Sequence, residues 1–303
     1  MTVYVINAAL RDLPPETFEG LDAVITDPPY SGHVHASATS AGNFERDGRV
    51  NNRDLGFAAL DPADRDHALR LCQKYVKRWS IFFSDFAKGE PEDANEGDDY
   101  ETKARAGHFV IEGDCAWRVM GVQARLDYIR LIPWVRWSQP QVTGDRPPSG
   151  AEAVLHFHAR GKKSWNGFGG LMYYVHKSLR GDDKHSTKKP LNLMLDLISF
   201  YTNPGELVGD FFAGRGTTGQ ACRILGRDAL LVERDPTFAA AAEARVNALL
   251  DECDLGKVES WIAATVEGAE RELESPQTTP NGRRKCEARL ADAGRALAFL
   301  EAT

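Results

Sequence analysis

Short apolar runs alternate with longer amphipathic stretches along most of the chain. Residues 2–8 (TVYVINA) and 21–26 read as strands, each too short for a helix. Residues 61–79 follow a helical period, with Ala63, Ala68, Leu69, Leu71, Cys72, Tyr75, Val76 and Trp79 forming one broad apolar stripe. Residues 80–84 (SIFFS) predict a buried strand, 117–126 a helix, and 128–137 and 153–158 two further strands. Pro190 opens an apolar helix (LNLMLDLISFYT), with Ser186 or Thr187 placed to cap it. A strand at 207–211, a helix at 220–225 and a strand at 229–232 ending in Glu233 follow. The remainder is charged and helical, at 238–251, 258–273 and 284–300. Strands alternating with helices predict an α/β chain of βαβ units on a doubly wound, mostly parallel sheet.

Composition narrows the class. A hydrophobic content of 42% and a charged content of 27% suit a globular protein whose 303 residues form one large α/β domain or two smaller ones. No apolar run approaches the roughly 20 residues of a membrane span, and no signal-like segment opens the chain, so a cytoplasmic protein without a membrane partner is expected. Five cysteines, none closer than 31 residues to the next, support neither a disulfide framework nor a zinc cluster. A third ligand is lacking near His33 and His35, and His156 and His158 read as one face of a strand; no metal site is expected.

The net charge of −7 argues mildly against nucleic acid, but its distribution matters more than its sum. Residues 90–101 carry seven acids and no base, whereas residues 160–189 carry eight bases against two acids. That basic stretch is compatible with a nucleic-acid groove or with a solvated loop.

Two motifs carry the candidate chemistry. The strand at 21–26 runs into Asp27-Pro28-Pro29-Tyr30. Each proline fixes φ and removes a donor, so the strand ends in a stiff stub presenting the Asp27 carboxylate and the Pro28 carbonyl as acceptors beside the Tyr30 ring. Two fixed acceptors next to a stacking face suit the exocyclic amine of a nucleobase. Alone, the four residues read equally as a strand ending in a proline turn. The second motif, Gly214-Arg215-Gly216-Thr217-Thr218-Gly219, lies between a strand and a helix, and Glu233 follows 17 residues after Gly216 at the end of the next strand. This is the G-x-G-x-x-G fingerprint in strand–turn–helix context, with an acid placed to accept from ribose hydroxyls, and it predicts a nucleoside cofactor.

Together the motifs resemble the amino-group DNA methyltransferases that use S-adenosylmethionine. Asp210 to Gly219 (DFFAGRGTTG) is similar to that family's cofactor loop, Glu233 to its ribose-binding acid, and Asp27 to Tyr30 to its catalytic motif. The segment His185 to Leu191 is similar to the one preceding the helix beside the methionine end of the cofactor. The catalytic motif precedes the cofactor loop, as in the beta-class order, a circular permutation of the others.

The resemblance implies a Rossmann-like methyltransferase fold and a catalytic domain over residues 1–250. Target-recognition insertions fall at about 31–55 and 138–188, and a helical extension is appended at 251–303. It implies catalysis by Asp27, Pro28, Pro29 and Tyr30. Cofactor contacts are implied for Asp210, Phe212, Ala213, Gly214, Gly216, Thr217, Thr218, Glu233, Lys189 and Pro190. The implied partner is duplex DNA with its target base flipped out, compatible with a homodimer and with a companion restriction nuclease. Asp at the first motif position is associated with adenine N6 more often than with cytosine N4. An RNA substrate, a nicotinamide-dependent oxidoreductase sharing the glycine fingerprint, and an inactive nucleic-acid-binding partner are the alternatives.

Overall fold

The computed structural model describes residues 1–29, 59–84, 90–91, 109–110, 113–136, 150–167, 173–176 and 189–302. The described strands are β1 (Val3–Asn7), β2 (Ala23–Thr26), β3 (Trp79–Ser84), β4 (Glu90–Pro91), β5 (Phe109–Val110), β6 (Asp127–Val135), β7 (Ala151–His158), β8 (Tyr174–Val175), β9 (Leu207–Asp210) and β10 (Asp228–Glu233). The α-helices are α1 (Pro62–Tyr75), α2 (Gly113–Gln123), α3 (Leu191–Tyr201), α4 (Thr217–Leu225), α5 (Pro236–Asn247), α6 (Glu252–Glu274) and α7 (Pro280–Glu301). Strand β4 pairs with β5, and the other eight strands form one sheet in the order β1-β10-β9-β2-β3-β7-β6-β8.

Every residue of β2 and β3 is buried, as expected of central strands covered on both faces. Side chains alternate between two cores. Ala23, Ile25, Ile81, Phe83 and Val154 join the core under α3 and α4. Val24, Phe82, Leu155 and Phe157 join the one under α1 and α2. The sheet is thus doubly wound, as the strand–helix alternation predicts. Pairing is parallel from β1 through β3. Strand β7 then runs antiparallel to both β3 and β6, a reversal that the alternation does not encode.

Local boundaries shift where the sheet overrides helical periodicity. Helix α1 stops at Tyr75 because Val76 is extended and Trp79 pairs with Ala23 and His158. Helix α3 starts at Leu191, one residue later than expected, with Pro190 itself at the cap position. Ser186 and Thr187 lie outside the described residues.

Topology also explains how two motifs distant in sequence meet. Strands β2 and β9 are parallel neighbours, with Ala23 opposite Val208 and Val24 opposite Gly209. From β2 the chain crosses through α1 to β3 on one side; from β9 it crosses through α4 to β10 on the other. Right-handed crossovers in opposite directions put α1 and α4 on opposite faces and open a crevice at the carboxyl ends of β2 and β9.

The C-terminal hairpin of α6 and α7 lies against α3 and α4. Val258, Trp261 and Ala296 share the core containing Leu193 and Leu225. Arg227, fully buried, donates from Nη1 and Nη2 to the two carboxylate oxygens of Asp292 at 2.5 and 3.0 Å, and Ser199 Oγ donates to the same carboxylate at 2.7 Å. Such a fork satisfies the buried charge on both sides and ties α7 to the turn before β10.

Candidate active site

The crevice holds a cavity of about 350 Å³. Its lining includes Asp27, Pro28 and Pro29 from the end of β2, Lys189 ahead of α3, Asp210 to Arg215 after β9, Thr217 and Thr218 of α4, and Glu233 at the end of β10. Ala8 to Leu10, Leu60, Asp61 and Asp64 complete the wall on the side of α1.

The glycine loop is braced before it meets any ligand. Thr26 Oγ1 donates to Asp210 Oδ1 at 2.6 Å and accepts from the backbone N–H groups of Phe211 and Phe212, both at 3.1 Å. Thr218 Oγ1 donates to Asp210 Oδ2 at 2.5 Å. Burial pushes the Asp210 carboxyl up to about 6 against these donors, with the nearby Asp27 charge adding to the rise. Asp210 therefore works mainly as an internal brace joining β2, β9 and α4. Glu233 accepts from Gly214 N–H at 2.8 Å and Asp235 N–H at 2.9 Å, one on each carboxylate oxygen. Burial raises its pKa, while those two N–H groups favour the charged form. The carboxylate is oriented at the mouth of the loop with acceptor capacity remaining for hydroxyls.

The two loop glycines differ in role. Gly214, at φ +51°, has open space where a side chain would stand, and it lines the cavity. Gly216, at φ +76°, faces α5: a Cβ there would lie 2.9 Å from the Cα of Ala242. Gly216 is therefore set by helix packing and does not line the cavity. Pro190, at the cap of α3, also lies outside the lining, which Lys189 joins. Phe212, Ala213, Gly214, Thr217, Thr218 and Glu233 line the one cavity. Tyr30 lies outside the described residues.

Sequence reasoning missed the polar surroundings of Asp27. Lys189 Nζ donates to Asp27 Oδ2 at 2.7 Å and lies 3.2 Å from Glu152 Oε2 on β7. Arg136 pairs with Glu152 from the other side at 3.3 Å. The ammonium also lies over the rings of Phe83 and Trp134, at 4.9 and 5.7 Å from their centroids. About a quarter of the Asp27 side chain is exposed to the cavity. Enclosure by the cavity walls still dominates: burial pushes the Asp27 carboxyl up to about 6, with Lys189 opposing the rise and Glu152 adding to it. The available signals were Thr26 closing an apolar strand and Glu152 standing in the apolar run AEAVLHFH. A carboxylate in such a run implies a buried partner.

The structure places part of the basic stretch at 160–189; Lys177, Arg180, Lys184 and Lys188 lie outside the described residues. Strand β7 runs antiparallel to β3, so Glu152 lies at the cavity end while His158 pairs with Trp79 at the other. Arg160, Lys162 and Lys163 follow His158, and Lys163 Nζ pairs with Asp127 Oδ2 at the start of β6 at 2.7 Å. These three bases lie at the opposite end of the sheet from Asp27.

Comparison with known proteins bears on the family and the fold. A family model described as DNA methylase matches residues 128–244, a stretch that includes Glu152, Lys189, the glycine loop and Glu233 but not Asp27. The Type II methyltransferase M.HinfI of Haemophilus influenzae is 37% identical over 70 residues, covering 23% of this chain and 20% of that protein. The crystal structure of M1.HpyAVI in complex with SAM superposes with a TM-score of 0.53 at 21% identity, covering 82% of this chain and 99% of that one. The cytosine-N4-specific PvuII DNA methyltransferase superposes with a TM-score of 0.53 at 15% identity, covering 86% and 92%. The chain thus shares its fold with solved DNA methyltransferases, a DNA methylase family model matches residues 128–244, and the chain spans about a fifth of the length of M.HinfI.

Proposed function

We propose that the protein transfers a methyl group from S-adenosylmethionine to the exocyclic amine of a base flipped out of duplex DNA, with adenine N6 as the target. The observation that carries this reading is that Asp27 and the Gly214–Glu233 pair open into one cavity. S-adenosylmethionine supplies a methyl group activated on a sulfonium. Glu233 would accept from the ribose hydroxyls, Gly214 would let the nucleoside approach the backbone, and Thr217 would stand at the amino end of α4, where free N–H groups favour a carboxylate.

The remaining work falls to Asp27 and Pro28. An aromatic amine is a poor nucleophile because its lone pair is delocalised into the ring. Hydrogen bonds from the NH2 to Asp27 and the Pro28 carbonyl favour a pyramidal nitrogen and stabilise its developing positive charge. Holding amine and donor in one crevice supplies much of the remaining acceleration. A paired base cannot reach such a crevice, so the base must leave the stack, with Tyr30 as its stacking surface. Adenine is favoured by Asp at the first motif position. Cytosine N4 is the near alternative, and the PvuII enzyme of the same fold is cytosine-N4-specific. A companion nuclease and a homodimer are compatible with this reading.

A nicotinamide-dependent oxidoreductase would use the same loop and acid but leaves Asp27 to Tyr30 without a role. Thermal shifts separate the two: S-adenosylhomocysteine should raise the melting temperature and NAD should not. The reverse result would overturn the proposal.

Two further outcomes follow. Asp27 must be ionised to accept from the amine, and burial pushes its carboxyl up to about 6. The kcat/KM for DNA should be flat above that pH and fall about tenfold per unit below it. A profile flat to pH 5 would remove Asp27 from the rate-determining chemistry. Secondly, each phosphate contact adds roughly 0.9 to the slope of log affinity against log salt. Replacing Lys162 and Lys163 with Gln should leave that slope unchanged, since both lie across the sheet from the cavity. Replacing Arg46, Arg49 and Arg53, in the segment leaving the catalytic motif, should flatten it. A slope that responds only to the lysines would place the DNA at the far end of the sheet.

A further inference from the structure

The charged groups behind Asp27 form a chain that leads away from the cavity. Asp27 and Lys189 line it; Glu152, Arg136, Phe83 and Trp134 do not. Lys189 is 7% exposed and Glu152 is equally buried. The order is Asp27 Oδ2, Lys189 Nζ at 2.7 Å, Glu152 Oε2 at 3.2 Å, then Arg136 Nη1 at 3.3 Å from Glu152 Oε1. The four charges alternate in sign and come from four separate elements of the fold. Two aromatic faces hold the ammonium laterally.

From this geometry we infer that Lys189 and Glu152 are positioning residues, a charge lock that fixes the Asp27 carboxylate by its Oδ2 and turns Oδ1 toward the target amine. The inference deepens the proposed methyl transfer and rests on it for the role of the amine. It also moves Lys189 from the cofactor to the acceptor side of the site. A buried ammonium held by two carboxylates and two rings has little freedom to follow a ligand. Pinning one carboxylate oxygen removes rotation about the Asp27 side chain, so the free oxygen meets the amine without reorganisation.

The lock has a signature that a purely structural ion pair would not give. Lys189 opposes the rise of the Asp27 carboxyl and Glu152 adds to it, so deleting each charge should move Asp27 in opposite directions. Among the other charged groups around Asp27, Asp210 of β9 is retained in both variants, and Arg136 reaches Asp27 only through Glu152. Across the cavity, Asp61 at the cap of α1 and Asp64 within it are paired with Arg11, and Arg215 lines the loop side; all are likewise retained.

The test reads Asp27 directly by carboxyl-carbon NMR on protein labelled with 13C-aspartate, the resonance being assigned by its loss in Asp27→Asn. Lys189→Met should raise the titration midpoint by about one pH unit or more, Glu152→Gln should lower it, and Lys189→Arg should leave it close to wild type. Because NMR needs no substrate, it separates the lock from the methyl-transfer reading. In DNA methylation at pH 8, Lys189→Met should lower kcat about tenfold or more with KM for S-adenosylmethionine within about threefold, and Lys189→Arg should recover most of the loss. Midpoints that stay put, or move the same way, overturn the lock. Should Lys189→Met fail to fold, the downward shift in the isosteric Glu152→Gln decides the same point. Diverging midpoints with an unchanged kcat overturn the positioning role. Diverging midpoints in a protein that methylates no base leave the lock standing and overturn the functional reading.

Discussion

Asp27→Ala is expected to lower methyl transfer by at least about a hundredfold while leaving affinity for S-adenosylhomocysteine within a few-fold. The separation follows from where the groups stand. Asp27 follows β2 and is bound through Lys189, whereas the side of the cavity proposed to hold the nucleoside is built from Gly214 after β9, Thr217 of α4 and Glu233 of β10. Removing the carboxylate deletes the charged acceptor at the reacting centre and leaves the loop brace of Thr26, Asp210 and Thr218 untouched. Single-turnover transfer to duplex DNA and calorimetry with S-adenosylhomocysteine check the two halves separately. A variant within threefold of wild-type turnover would remove Asp27 from the mechanism.

Gly216→Val should fail in a different way. The sequence suggests that a side chain there blocks the cofactor and spares the fold. The structure gives another outcome, because the space it would fill belongs to Ala242 of α5 and the backbone is left-handed. Left-handed backbone costs a branched residue about 1–2 kcal/mol, and the overpacked contact about 1–3 kcal/mol more. The melting temperature should therefore fall by roughly 5 °C or more, with cofactor binding lost as the loop shifts. Gly214→Ala is the contrasting variant: its side chain would enter open space on the cavity side, so binding should weaken more than stability. Unchanged thermal stability in Gly216→Val, with binding lost, would restore the simpler view of that glycine.

These contrasts mark what could be read from the residues and what could not. The strands at 23–26 and 207–210 are legible because a short apolar run followed by Pro or Gly admits few other conformations. Glu233 is legible from its spacing behind the glycines, and its carboxylate accepts from the Gly214 and Asp235 N–H groups beside the loop. Strand direction is not legible in this way. Residues 151–158 are buried nearly throughout and would look the same in either orientation, yet the antiparallel pairing decides which end faces the cavity. That choice brings Glu152 behind Lys189 and carries Lys162 and Lys163 to the far end. Lys189 was recognisable by its position ahead of α3, but its partner could be assigned only once β7 was oriented. Gly216 likewise depends on the approach of α5, a contact between segments that no local spacing reveals.

The central claim, that a base amine meets the methyl donor at Asp27, is tested most directly by the chemical identity of the product. Mixed-sequence duplex DNA would be incubated with S-adenosylmethionine carrying a deuterated methyl group, digested to nucleosides and analysed by mass spectrometry. The account predicts deuterated N6-methyldeoxyadenosine, absent with Asp27→Ala. Deuterated N4-methyldeoxycytidine would keep the chemistry and change the base, whereas label on a ring carbon, or in no base at all, would contradict the account.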